Sequence, residues 1–97
     1  MHYSVIIISH NYQNNNQNYL IIKDFVSLEN DCTLIYNKER ITFDYLIITD
    51  ISLVSNLKQI GVLTENKIPV TNYEKQTSIE NIYYGSNLDI EEIINNL

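Results

Sequence analysis

The sequence predicts an α/β domain dominated by its sheet: a β-meander, a short central helix and a C-terminal amphipathic helix, in a single domain over residues 1–97. Three observations predict it. Tyr3-Ser4-Val5-Ile6-Ile7-Ile8 is β-branched and almost wholly apolar, the mark of a strand buried on both faces inside a parallel sheet. Short β-forming segments between Phe25 and Thr49 are separated by polar turns, which describes a meander. Ile90, Ile93, Ile94 and Leu97 follow i, i+3, i+4, i+7 and give a helix one apolar face. At 97 residues and 44% hydrophobic content, the chain has material for one core and little room for a second domain.

Taken in order, the first strand is followed by a polar, Asn/Gln-rich loop from His10 to Asn18. Tyr19-Leu20-Ile21-Ile22 opens an apolar segment that continues through Asp24-Phe25-Val26-Ser27-Leu28. Glu29-Asn30-Asp31 and Asn37-Lys38-Glu39 are turns, because Asn and Asp tolerate turn geometry. Between and after them, Cys32 to Tyr36, Arg40 to Phe43 and Asp44 to Thr49 are strands. Leu53, Val54, Leu57 and Ile60 fall at near-helical spacing before Gly61, a C-terminal stop, and predict the short central helix. Lys67 to Val70 and Asn81 to Tyr84 are short extended pieces, the first an edge or irregular strand because it holds Pro69. Ser86 or Asn87 caps a helix from about Asp89 to Leu97. Asp89, Glu91 and Glu92 lie in its first turn, where negative charge suits the helix dipole.

Charge and composition exclude several function classes. Six Lys and Arg stand against twelve Asp and Glu, a net charge of −6, which argues against nonspecific nucleic-acid binding and against attraction to anionic lipid. No apolar run reaches the length of about 20 residues that crosses a bilayer. The start MHYSVIII has neither a basic n-region nor a small-residue cleavage site, so no secretory signal is expected. Cys32 is the only cysteine, which excludes an internal disulfide and a cysteine-rich zinc site and makes a reducing, cytoplasmic location the expectation. With only Gly61 and Gly85, neither a Walker loop nor a complete dinucleotide fingerprint is possible, since both need the backbone to approach phosphates closely.

The chemistry-bearing side chains have structural readings. His2 and His10 flank the first strand, which holds them about 25 Å apart when extended and keeps them from sharing a metal. Cys32 reads as a small core residue rather than a nucleophile. Glu91 and Glu92 are adjacent on a helix, point about 100° apart and serve the helix start rather than acid–base chemistry. Tyr83 and Tyr84 beside Gly85 fill a strand edge with one buried face, or stack on a ring or a partner.

A family pattern then enters over residues 44–88: Asp44-Tyr45-Leu46-Ile47-Ile48-Thr49, Leu57-Lys58-Gln59-Ile60-Gly61-Val62, Lys67-Ile68-Pro69-Val70, and Thr77-Ser78-Ile79-Glu80-Asn81-Ile82-Tyr83-Tyr84-Gly85-Ser86-Asn87. This series resembles the C-terminal part of the flavin-dependent pyridine-nucleotide reductases, the thioredoxin reductases and thioredoxin-reductase-like ferredoxin–NADP reductases in particular. The meander from Phe25 to Phe43 matches the family in outline, and Val5 to Ile8 looks like the second strand of its NAD(P) domain. The resemblance implies a weakened cofactor-binding loop at Gly85, Ser86 and Asn87. The family's Gly-Asp falls there on Ser86-Asn87, and its NADP-gripping basic residues fall on Asn11 and Tyr12. Both phosphate-binding glycine loops and the redox Cys-x-x-Cys have no counterpart in these residues.

Flavin and nicotinamide carry the family's reaction, so the expectation is a chain that is not an enzyme on its own. It binds no cofactor alone, and FAD only together with a complementing partner. It acts as one part of a split reductase, a remnant, or a binding or assembly module, with a protein partner or a homodimer covering its exposed edges. The alternative is a small acidic protein-interaction module, such as an inhibitor of viral or mobile-element origin. A third reading is a small-ligand sensor with a pocket near Gly85-Ser86-Asn87.

Overall fold

The computed structural model describes residues 1–97. Its strands are β1 (His2–Ile8), β2 (Tyr19–Ile22), β3 (Val26–Leu28), β4 (Thr33–Tyr36), β5 (Glu39–Ile48), β6 (Val54–Ser55), β7 (Thr64–Glu65), β8 (Ile68–Pro69) and β9 (Ile82–Tyr84), followed by one α-helix, α1 (Ile90–Asn95). Seven strands form a mixed sheet in the order β2-β1-β5-β4-β3-β6, with β9 also on β5, while β7 and β8 form a separate ribbon. The expected sheet-dominated α/β architecture is therefore present. No helix is long and apolar enough to cross a membrane.

The apolar run in β1 is explained by its neighbours. β1 lies between β2 and β5 and is parallel to both. Ile6, Leu46 and Ile82 form one row across β1, β5 and β9, and Ile7, Ile47 and Tyr83 form the next. Successive residues of a strand face opposite sides, so these rows belong to two cores. Ile6, Ile8, Leu46, Ile48 and Ile82 join the larger cluster, together with Ile22, Val26, Leu28 and Leu34. Val5, Ile7, Ile47 and Tyr83 join the smaller one, which α1 covers with Ile90 and Ile93. Ile90, Ile93 and Ile94 of the predicted apolar face thus pack on the sheet, whereas Leu97, the fourth residue of that pattern, lies beyond the helix and is exposed.

The sheet curls around the larger cluster. β2 and β3 stand four strand positions apart in the ladder, about 19 Å in a flat sheet at 4.8 Å per strand. The four chain steps from Ile22 to Val26 span at most about 14 Å. The sheet must bend to bring these ends together, and Ile22, Val26 and Leu28 meet in the same core.

The face alternation of β5 slips by one residue in its middle. Ile41 and Phe43 share a cluster with Leu46 and Ile48, whereas Tyr45 packs with Ile47 on the other face. The period-2 alternation of β5 therefore shifts across Asp44-Tyr45. β1 shifts in step: Tyr3 packs with Ile6 and Ile8, and Val5 with Ile7. The sequence divides β5 at this same place, into 40–43 and 44–49; the structure joins the two halves into one strand.

The central helix is corrected. Residues 51–53 form a single 3-10 turn, Val54 and Ser55 form β6, and the chain then makes one hydrogen-bonded turn to Val62. Asn56 explains why no α-helix forms there. Its φ is +73°, outside the helical range, and its Nδ2 donates to Ser27 Oγ (2.8 Å) and Leu28 O (3.3 Å). These bonds pin the segment beside β3 as a parallel strand. Leu57 is buried in the larger core, and Leu53, Val54 and Ile60 pack against it. Apolar spacing alone does not separate that arrangement from a helix.

Two tight hairpins use non-glycine residues at positive φ: Asn37 and Lys38 (51° and 68°) between β4 and β5, and Asn66 and Lys67 (52° and 67°) between β7 and β8. Positive φ at both central residues is type I′ geometry, which Asn-Gly suits best and a Lys side chain strains. Lys38→Gly is expected to stabilise the protein by about 0.5–1 kcal/mol, read as a rise of a few degrees in melting temperature.

Candidate functional site

β5 shares one edge between two neighbours. β4 runs antiparallel along it as far as the Thr33–Thr42 pair, and β9 runs parallel along it from the Leu46–Ile82 pair. Between them the edge of β5 has no regular strand beside it. Phe43 N–H reaches back to Cys32 O (2.9 Å), and Leu46 N–H reaches forward to Asn81 O (3.0 Å). Asn81 latches the fork: its Nδ2 donates to Asp31 O (2.8 Å) and Asp44 O (3.1 Å). Asn81→Ala is expected to cost about 1 kcal/mol, the usual net value of such bonds. The amides of Phe43 and Leu46 should then exchange with deuterium faster than those of Ile6 and Ile7.

The fork holds the largest concavity of the molecule, a groove of about 750 Å³. Phe43 and Ile79 give it apolar lining, and Tyr45 and Tyr83 line it with rings 6.5 Å apart and tilted by 52°. Asp31, Asp44 and Glu80 are its carboxylates, all exposed, and no Lys, Arg or His lines it. His2 approaches one of them, with Nε2 3.1 Å from Asp44 Oδ1. Tyr83 is 6% exposed. Burial pushes its phenol above the ordinary value, so the hydroxyl keeps its proton at neutral pH. That hydroxyl accepts from Gln76 Nε2 at 3.4 Å and donates to no group of the chain.

Gly85, Ser86 and Asn87 lie elsewhere, beyond the carboxyl ends of β5 and β9, where Gly85 N–H donates to Ile48 O (3.1 Å). Ser9, fully buried at the end of β1, donates from Oγ to Asn87 Oδ1 (2.7 Å) and accepts from Asn11 N–H (3.3 Å). Ser9, Asn11, Ser86 and Asn87, with His10, Thr49 and Asp50, line a polar crevice of about 240 Å³. Crevices at the carboxyl ends of parallel strands are where α/β sheets usually hold ligands.

The local geometry does not suit a dinucleotide phosphate. A Cβ on Gly85 would meet Asp89 Oδ2 at 2.7 Å, so the glycine makes room for the chain's own carboxylate. Asp89 Oδ2 accepts from Ser86 N–H (2.8 Å) and Ser86 Oγ (3.1 Å). The backbone donor that a phosphate would use is already engaged, and by a negative charge. The residues present therefore do not fit a flavin or nicotinamide phosphate.

The same contact makes a prediction. Asp89→Ala removes the carboxylate that caps the helix start and should cost about 1 kcal/mol. Gly85→Ala displaces that same carboxylate, so the double variant should lose little more than either single one, as measured by urea unfolding. The Ser86 N–H bond, foremost, holds the Asp89 carboxyl below its ordinary range, and the Ser52 hydroxyl does the same for Asp50. Both contributions are complete above the ordinary carboxylate pKa and are lost as pH falls through the depressed values.

The remaining candidates have partners within the chain. His10 Nε2 lies 2.7 Å from Asp50 Oδ2, so the two histidines take different aspartates at opposite ends of β1. No group of three His, Cys, Asp or Glu is placed to hold a metal ion. Cys32 is exposed, not a core residue. It precedes β4, lines the groove and lies 3.3 Å from Asn30 Oδ1 through its Sγ. Glu91 accepts from the Tyr12 hydroxyl, tying the helix to the loop after β1. Tyr83 packs in the smaller core and Tyr84 against the larger, one on each face of the sheet. Sequence reasoning passed over Asp31, Glu80 and the latch Asn81. The signal available was Asp44, a charge set between two apolar runs.

Comparison with known proteins finds no family model, no curated protein and no solved structure that matches this chain. The reductase resemblance rests on its sequence motifs alone.

Proposed function

We propose that this chain is a non-catalytic interaction module that holds a segment of a protein partner in the fork groove. One observation carries the reading: the largest concavity joins an apolar and aromatic lining to charged groups, the composition of a recognition surface. The net charge of −6 argues against nucleic-acid and anionic-membrane partners. The free, exposed thiol of Cys32 suits a reducing, cytoplasmic setting.

The test compares three tagged proteins in capture from a source-cell lysate. The same partner should be retained by the unchanged protein and by Asn87→Ala in the distant crevice. Glu80→Arg, at an exposed groove position, should reduce it by about tenfold or more, as at other recognition hot spots. Equal recovery by all three overturns the reading. So does a purified chain that carries flavin absorbance and oxidises NADPH.

A further inference from the structure

We infer that the segment held in the fork groove is an extended, cationic stretch of polypeptide whose arginine side chain lies along Tyr45 and ends among Asp31, Asp44 and Glu80. The inference rests on the groove being the docking surface and specifies what docks there. Charge complementarity is the first support. Three carboxylates and no cation line the groove, on a chain whose net charge is already −6. A second copy of this chain would bring the same excess of negative charge and be repelled. A bare divalent ion finds no group of three ligands placed to hold it.

The aromatic lining is the second support. A guanidinium is attracted to the face of a tyrosine ring, and its flat, weakly hydrated form stacks where an ammonium does not. Its methylene stem needs apolar surface, which Ile79 and Leu97 supply. A third observation is independent of charge. The Tyr83 ring is buried, and its hydroxyl, which accepts from Gln76, donates to nothing within the chain. A backbone carbonyl of an extended segment is the acceptor it lacks. The groove therefore offers one donor for main chain, one ring and apolar surface for a stem, and carboxylates for a cationic head.

The experiment titrates the full chain, ¹⁵N-labelled, with three ten-residue Gly/Ser peptides that differ only in carrying two arginines, two glutamines or two glutamates. The arginine peptide should shift the amides of Asp44, Tyr45, Glu80 and Asn81, with binding that weakens as salt is raised. The glutamine peptide should bind about tenfold more weakly or worse, and the glutamate peptide not at all. The triple variant Asp31→Asn, Asp44→Asn, Glu80→Gln should lose the preference for arginine while keeping its fold, since all three side chains are exposed. Equal binding of the arginine and glutamine peptides at the groove overturns the cationic assignment and leaves the docking reading standing. Absence of any groove shift also overturns the assignment, even where capture of the partner still depends on Glu80. Failure of the docking reading itself is seen separately, as capture indifferent to Glu80→Arg.

Discussion

Leu46→Ala is expected to lower the unfolding free energy by about 3–4 kcal/mol, within the usual range for buried leucines truncated to alanine. Leu46 is fully buried, sits in the larger core, and is paired with Ile6 on one side and Ile82 on the other. Removing its side chain leaves a void where three strands meet, and the ladder on both sides limits how far the walls can collapse. A domain of this size has about 5–15 kcal/mol of stability in total. The melting temperature should therefore fall by roughly 15–25 °C, with the denaturant slope unchanged. A loss under about 1 kcal/mol would mean that β5 is not the centre of the fold.

Ile90→Asp should strip the helix from the sheet. Ile90 is fully buried in the apolar cluster it forms with Val5, Ile7, Ile47 and Tyr83. An ionised carboxylate there has no partner, and burying it costs several kcal/mol. The cheaper response is for α1 to leave. With six residues it is too short to persist alone, so helical signal is lost with it. Undocking exposes two isoleucine side chains of α1, Ile90 and Ile93, together about 3–6 kcal/mol of burial. Binding of a hydrophobic dye should rise sharply while the strand signal of the larger core remains. Ile90→Val, which keeps the shape and adds no charge, should cost only about 1 kcal/mol. Similar behaviour of the two variants would show that α1 contributes little.

The sheet was the most legible part of this molecule. An unbroken β-branched run has few structural uses besides a strand covered on both faces, and β1 is such a strand. The meander was legible because its turns are short and carry Asn, which tolerates the positive φ observed at Asn37. The helix face of Ile90 and Ile93 was legible from its period. The central helix misled because Leu53, Val54, Leu57 and Ile60 satisfy a helical period while the backbone turns at Asn56. The tie of Asn56 to Ser27 and Leu28 is a long-range contact that local pattern does not contain.

The groove was illegible for a related reason. Its side chains come from the turn before β4, the middle of β5, the entrance to β9 and, after α1, Asn96 and Leu97, and only the pairing of β5 with both β4 and β9 and the docking of α1 bring them together. The crevice around Gly85, by contrast, was located by motif. What the motif does not reveal is that Asp89 packs against the glycine and takes the Ser86 donor.

Because β5 serves β1, β4 and β9 at once, the order of synthesis has a cost. The ribosome delivers β1 through β8 before β9 exists. In that interval the Leu46–Ile48 stretch of β5 presents unpaired backbone groups, and the Ile7–Ile47 row lies open until Ile90 and Ile93 arrive. A nascent chain in this state is a template for any passing β-segment. Its safety depends on how quickly the last elements follow.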